Sequence, residues 1–236
     1  MEHRVKKHDW LSIFLNFAVK TAIIFTIIII LFILGYILIK GLINLKPSLF
    51  EFNYNSDNVS LFPAMVNTVT LTLLTLFFAA PIGIFSAIYL VEYANKKNKL
   101  VNVIRLTTET LAGIPSIVYG LFGYLFFLTF IGWRYSLMAG ALTLAIMILP
   151  LIIRTTEEAL IAIPIEYRQG SYGLGAGKLR TIFRIVLPSA IPGVLAGIIL
   201  AIGRIVGETA ALIFTAGTIA QIPSSLFSSG RTRSEE

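Results

Sequence analysis

The chain has 236 residues, of which 56% are hydrophobic and 13% charged, with a mean hydropathy of +0.85 and a formal net charge of +7. So little charge excludes a water-soluble globular domain, in which Asp, Glu, Lys and Arg make up about 25% of residues. The absence of cysteine excludes disulfides and thiolate chemistry, and His3 and His8 both precede the first apolar run, so the body of the chain offers no histidine-based triad or zinc site.

Residues 1–16 read as a polar N-terminal segment carrying Arg4, Lys6 and Lys7. Phe17–Ile39 follows as a run dominated by Ile, Phe and Leu, long enough for the roughly 20 apolar residues that a bilayer span needs. It exceeds a signal-peptide core and no small-residue cleavage site follows it, so it is expected to remain as an anchor. Its uniform composition predicts a peripheral, lipid-facing helix.

Four more apolar segments lie at about Ala64–Val91, Leu111–Ile131, Ser136–Ile153 and Ser189–Gly217. They are too long, and too little alternating, for barrel strands. The expectation is an all-α integral membrane protein, a polytopic helical bundle. Pro81, Gly83, Gly113, Pro115, Gly120, Gly123, Gly140, Pro192, Gly193, Gly197, Gly203 and Gly207 recur in these four segments. Small residues let helices approach closely, so these segments are predicted to form the packed centre of one transmembrane domain over 63–218. Residues 219–236 read as a polar extracytoplasmic tail.

Basic residues in the connections set the orientation. Arg4, Lys6, Lys7, Lys96, Lys97, Lys99, Arg105, Arg154, Arg168, Lys178, Arg180 and Arg184 fall on one side. Lys40, Lys46, Arg134, Arg231 and Arg233 fall on the other. The N-terminus and the connection before the last segment are thus predicted to be cytoplasmic. The positive charge is a topology signal facing membrane lipid, and not a nucleic-acid signal.

That last connection, at about 155–188, contains the polar stretch QGSYGLGAGKLR. It is no phosphate-binding P-loop, because Tyr172 stands at the first glycine position and Leu179 at the Ser/Thr position. A dinucleotide fingerprint fails on spacing. Ala159, Leu160 and Ile163 before Pro164, and Leu179, Ile182, Phe183 and Val186 before Pro188, have helical periodicity. Two short helices joined at a glycine turn are expected, either lying on the membrane surface or offered to a partner.

The spacing from Gly175 to Ile185-Val186-Leu187-Pro188 resembles the G-x9-I-x-L-P core of the EAA loop of binding-protein-dependent ABC importer permeases. In that family the loop is a coupling helix seated in a cleft of the ATPase. Gln169, Gly170 and Ser171 stand where the family has Glu-Ala-Ala. PIGIFSAIYLVEYA (81–94), IPSIVYGLFGY (114–124), IRTTEEAL (153–160), GRIVGETAALIFTAGT (203–218) and SSLFSSGRT (224–232) resemble the A-type permease subunit of phosphate-specific transport systems. The resemblance implies a MetI-like bundle in a bacterial or archaeal inner membrane, with ATPase coupling through Gln169, Gly170, Ser171, Gly175, Ile185, Leu187 and Pro188. It implies as partners two copies of an ATPase, a C-type second permease and an extracytoplasmic phosphate-binding protein. ATP hydrolysis would belong to the ATPase; this chain would bind no cofactor and act as a transport subunit, not an enzyme. The family continues into a sixth span, so five visible spans are read as a shortened product.

Arg204 and Glu208 fall inside the fifth apolar segment, four residues apart, and are predicted to share a helix face. Arg204 lies about 24 Å along the axis from Pro188. An intramembrane charge faces a cavity or a partner. The two are either a structural ion pair or a pathway arginine oriented by its glutamate, and guanidinium matches two phosphate oxygens at once. The resemblance implies a transport role for the arginine. Arg154 either snorkels to headgroups or meets the anion at its exit, and Arg105 and Glu109 are read as interfacial. Remaining alternatives are a permease for molybdate or phosphonate, an anion channel or secondary carrier, and a non-transporting ATPase-binding subunit.

Overall fold

The computed structural model describes residues 10–52, 60–95, 99–217, 225 and 227. Arg4, Lys6, Lys7, Lys96, Lys97 and nearly all of the 219–236 tail lie outside the described residues. The chain divides into two compact units, Met1–Phe50 and Glu51–Glu236.

The first unit is one long helix, α1 (Trp10–Ile43), followed by a 3-10 turn at Pro47–Phe50. At 34 residues α1 is about 50 Å long, more than a hydrocarbon core requires. Its threonines bond within the helix. Thr21 and Thr26 donate to the carbonyls of Phe17 and Ala22, and Asn44 closes the C-terminus on Lys40. Such internal satisfaction is what lipid demands of a spanning segment.

The second unit contains α2 (Phe62–Ile88), which continues through a π-helical segment at Tyr89–Tyr93. Then come α3 (Lys99–Ala112), α4 (Ser116–Gly123) with a π-helical extension at Tyr124–Phe130, and α5 (Leu137–Ile161). The described residues continue through α6 (Ile165–Gly173), α7 (Lys178–Thr181), a π-helical segment at Ile182–Val186, α8 (Leu187–Val206) and α9 (Ala210–Ile213). Trp10–Ile43, Phe62–Tyr93, Leu137–Ile161 and Lys178–Val206 are each long and apolar enough to cross a membrane. Val101–Ala112 and Ser116–Phe130, bent by 102°, make a fifth if taken as one span. No strand occurs among the described residues.

Helix α5 is the axis of this unit. It packs most extensively on α2 and α8, and its buried stripe includes Leu144, Met147, Ile148, Ile152 and Leu160. Glycines set the approach. A Cβ on Gly83 of α2 would stand 2.6 Å from Ile152 Cγ2, and one on Gly197 of α8 would overlap Thr155 of α5. The expectation that glycine-bearing segments pack closely therefore holds where α2 and α8 meet α5.

The first helix starts at Trp10 and not at Phe17, so residues 10–16 belong to it and not to the polar N-terminal segment. Three further boundaries differ from the sequence expectation, each for a local reason. The third segment does not begin at Leu111. Helix α3 already starts at Lys99, and the corner comes at Gly113-Ile114-Pro115. A residue before proline avoids the helical region, and proline brings no N–H, so the chain turns there.

The polar connection is also shorter than 155–188. Helix α5 runs on to Ile161, and the last long helix begins at Lys178. Apart from Ile163, the periodic residues read as separate short helices are turns of these long ones, and Leu160, Ile182 and Val186 pack together with Ala87, Ile88, Ala190 and Val194. Pro188 does not end a helix, because the π-helical segment before it accommodates the lost donor: Leu187 N bonds Ile182 O. Finally, α8 stops at Val206, with Gly207 as its cap, and does not reach Gly217.

Candidate coupling loop and intramembrane charges

The connection between α5 and α7 consists of Ala162-Ile163-Pro164, α6 and a four-residue turn. Pro164 opens α6 with its fixed φ. At the other end Leu174 is the cap and Gly175 adopts φ +80°. Ala176 N donates to Ser171 O at 3.1 Å and Gly175 N to Tyr172 O at 2.9 Å. Those two bonds are the Schellman closure, which needs a left-handed residue at the position Gly175 holds. Nothing within the chain lies within 4 Å of a Cβ built on Gly175. The demand for glycine at this turn is therefore one of backbone conformation and not of space.

The hairpin is fixed from within and open outward. Ser171 is buried, and its hydroxyl meets that of Thr181 at 2.8 Å, joining α6 to α7. Gln169 and Gly170 are exposed, as are Ile165, Tyr167, Tyr172 and Leu174, the last at 90% of its accessible area. Ile185 and Leu187 are half-buried and Pro188 exposed on the long helix. The implied coupling residues thus divide. Gln169 and Gly170 face outward on α6, Gly175 shapes the turn, Ser171 holds the hairpin, and Ile185, Leu187 and Pro188 belong to the root of the last span.

Arg168 escaped the sequence reading except as a topology charge. Its Nε and Nη2 donate to Glu92 Oε1 at 3.0 and 2.8 Å, while Nη1 and Nη2 donate to the carbonyls of Ile163 and Leu160. Only 11% of the Arg168 side chain and 6% of that of Glu92 is exposed. The signal was in YLVEYA, where a carboxylate closes an apolar run and so requires a partner. Beside it, Lys178 Nζ lies 4.5 Å from the Tyr93 ring centroid.

The intramembrane pair is not arranged as predicted. Arg204 lies in the last turn of α8, whereas Glu208 lies beyond the helix end. The two do not share a helix face, and no ion pair joins them among the described residues. Glu208 Oε1 instead accepts from Ala211 N at 3.3 Å, at the start of α9. Gly207 breaks the helix, and the carboxylate turns to the freed donors. Arg204 is half-buried, and the hydroxyl of buried Tyr119 donates to Leu111 O at 2.8 Å.

Arg154 donates through Nε to Glu158 Oε1 at 3.1 Å, one turn along α5, with both side chains more than half exposed. Arg105 reaches across from α3 to Glu157 of α5 at 2.6 Å. It is an inter-helix tie rather than a free interfacial charge. Among the described residues, no group of three or more His, Cys, Asp or Glu side chains is placed to hold a metal.

The family described as "Binding-protein-dependent transport system inner membrane component" matches residues 79–230. A probable ABC transporter permease protein, YqgI, of Bacillus subtilis (strain 168) is 36% identical over 206 residues, covering 85% of this chain and 68% of that protein. Phosphate transport system permease protein PstA 1 of Mycobacterium tuberculosis (strain CDC 1551 / Oshkosh) is 43% identical over 139 residues, or 59% of this chain. That match covers 45% of the mycobacterial protein, so the chain spans less than half of that relative. Among solved structures, an inward-facing conformation of the MetNI methionine ABC transporter superposes with a TM-score of 0.56. It is 22% identical and covers 66% of this chain and 73% of that one, which is a likeness of fold.

Proposed function

The chain belongs to the family of binding-protein-dependent transport system inner membrane components, and on that premise we propose that it is a permease subunit of an ATP-driven phosphate importer. It is a multi-pass membrane protein and a transport subunit, not an enzyme. The choice of phosphate rests on the similarity to phosphate permeases, which is 43% over 139 residues. In this reading the N-terminus and α6 face the cytoplasm, and the chain supplies half of a pathway completed by a C-type second permease. Two copies of an ATPase hydrolyse ATP, an extracytoplasmic protein delivers phosphate, and this chain needs no cofactor of its own.

The observation that carries the coupling role is the α6 hairpin. Its frame is held by buried polar bonds, while Ile165, Tyr167, Tyr172 and Leu174 present apolar surface outward. In an apolar chain that surface alone would be ordinary, but here it caps the polar connection between two spans. Exposed aromatic and aliphatic side chains on a rigid turn suit insertion into a cleft. Arg204 is the pathway cation that meets the oxyanion, and Arg154 stands near the exit.

The test is uptake by membrane vesicles holding this chain with its neighbouring subunits. Labelled phosphate should accumulate only with ATP and with the binding protein present, and excess molybdate or phosphonate should leave uptake unchanged. Uptake that persists without ATP would instead make the chain a channel or carrier. Competition by another oxyanion would reassign the substrate.

A further inference from the structure

We infer that Glu92 and Arg168 form a strut that moves the end of α2 and the coupling helix α6 as one body, carrying the ATPase stroke into the membrane. This inference rests on the permease reading above. The pair joins residues 76 positions apart in sequence. The Arg168 guanidinium spends its donors on two elements at once, the Glu92 carboxylate at the end of α2 and the Leu160 and Ile163 carbonyls where α5 ends, while its own backbone belongs to a third, α6.

Burial makes that junction stiff. A carboxylate and a guanidinium removed from water hold each other far more firmly than an exposed pair, and parting them would strand a charge. The planar fork fixes direction as well as distance, since two donors converge on one oxygen. Arg154–Glu158, the exposed pair on α5, has neither property.

The flanking structure is suited to movement. Glu92 sits within the π-helical segment Tyr89–Tyr93, whose closing bond runs from Ala94 N to Tyr89 O. Such wide turns interrupt the regular ladder and occur often at functional sites. A second π-helical segment, Ile182–Val186, lies where α7 passes into α8. Lys178 over Tyr93 makes a further link between the two regions. A displacement applied to α6 therefore reaches α2 through Arg168 and Glu92, while the π-helical turns take up the change in register. Both side chains are positioning residues.

The complete transporter in proteoliposomes tests this by the ratio of phosphate imported to ATP hydrolysed. Glu92→Gln keeps the shape and one acceptor but removes the charge. It should leave co-purification with the ATPase and its hydrolysis rate within about twofold, while the transport ratio falls about tenfold or more, the cost of about 1.4 kcal/mol at the coupling step. Arg168→Lys, which keeps charge without the fork, should recover part of the ratio. A merely structural pair would lower assembly, hydrolysis and uptake together at an unchanged ratio, and that result would overturn the strut.

A second measurement covers the case in which the variants do not fold. Spin labels on Tyr89→Cys and Glu166→Cys, in a chain with no native cysteine, report the distance between the π-helical end of α2 and α6. With Glu92 and Arg168 intact, that distance should stay constant between nucleotide-free and ATP-bound transporter. A change beyond about 2 Å, the scale of helix shifts in switching proteins, would show that the two elements move separately. If wild-type vesicles show no ATP-driven uptake at all, it is the permease reading that falls, whereas an unchanged ratio in Glu92→Gln beside normal wild-type uptake removes only the strut.

Discussion

Replacing Gly175 separates two reasons for a glycine at the coupling turn. Its φ of +80° costs an L-residue about 1–2 kcal/mol, and more for a β-branched one. A built Cβ meets nothing of this chain within 4 Å, so there is no packing penalty to add. Docking needs the formed turn, so this free energy appears as reduced affinity for the ATPase. Gly175→Ala should therefore weaken ATPase binding to the solubilised permease by about 5- to 30-fold. Gly175→Asn, which tolerates the left-handed region, should cost only a small part of that, and Gly175→Val the most. Titrating the purified ATPase against the three variants reads the series directly. If Asn is as damaging as Val, a side chain of any kind is rejected by the partner. If Ala is neutral, the Schellman turn is not what docks. Either result refutes the backbone argument.

Arg204→Gln should leave the transporter assembled but weaken phosphate transport by about 2 kcal/mol or more, at least about thirtyfold, as read by uptake beside co-purification. Glu208→Gln should be far milder, because an amide oxygen can still accept from Ala211 N; equal loss in both variants would mean that the two residues act as a unit. Leu160→Ala, at a site with no exposed area, should lower stability by about 2–5 kcal/mol in thermal unfolding of the detergent-solubilised chain. Gly197→Val should cost about 1–3 kcal/mol by driving a side chain into Thr155, and the companion change Thr155→Ala should recover part of it. Ser171→Ala should lose about 1 kcal/mol with its hydroxyl bond to Thr181, seen as faster proteolysis within the α6 turn.

Much of this architecture was legible in the residues themselves. Lipid leaves a spanning backbone no partner but itself, so long apolar runs such as Trp10–Ile43 and Leu137–Ile161 must be helices, and hydropathy locates them. The turn at Gly175 was also legible, because left-handed geometry is a local property that favours glycine. Helix ends were less so. The stop of α8 at Val206, which parts Arg204 from Glu208, lies inside an apolar run that continues past it.

What the tertiary structure alone decided concerns residues that act through distant neighbours. Leu160 and Ile182 look alike in sequence whether they belong to short surface helices or to long spans. Only the packing of α5 against the last long helix buries them both. Glu92 and Arg168 are each an isolated charge until the fold brings them within 2.8 Å, and Ser171 is a departure from a motif until Thr181 stands opposite its hydroxyl. Helical periodicity depends on residues three and four positions apart. A buried charge pair depends instead on which helices touch, so its meaning emerges only when the chain has closed on itself.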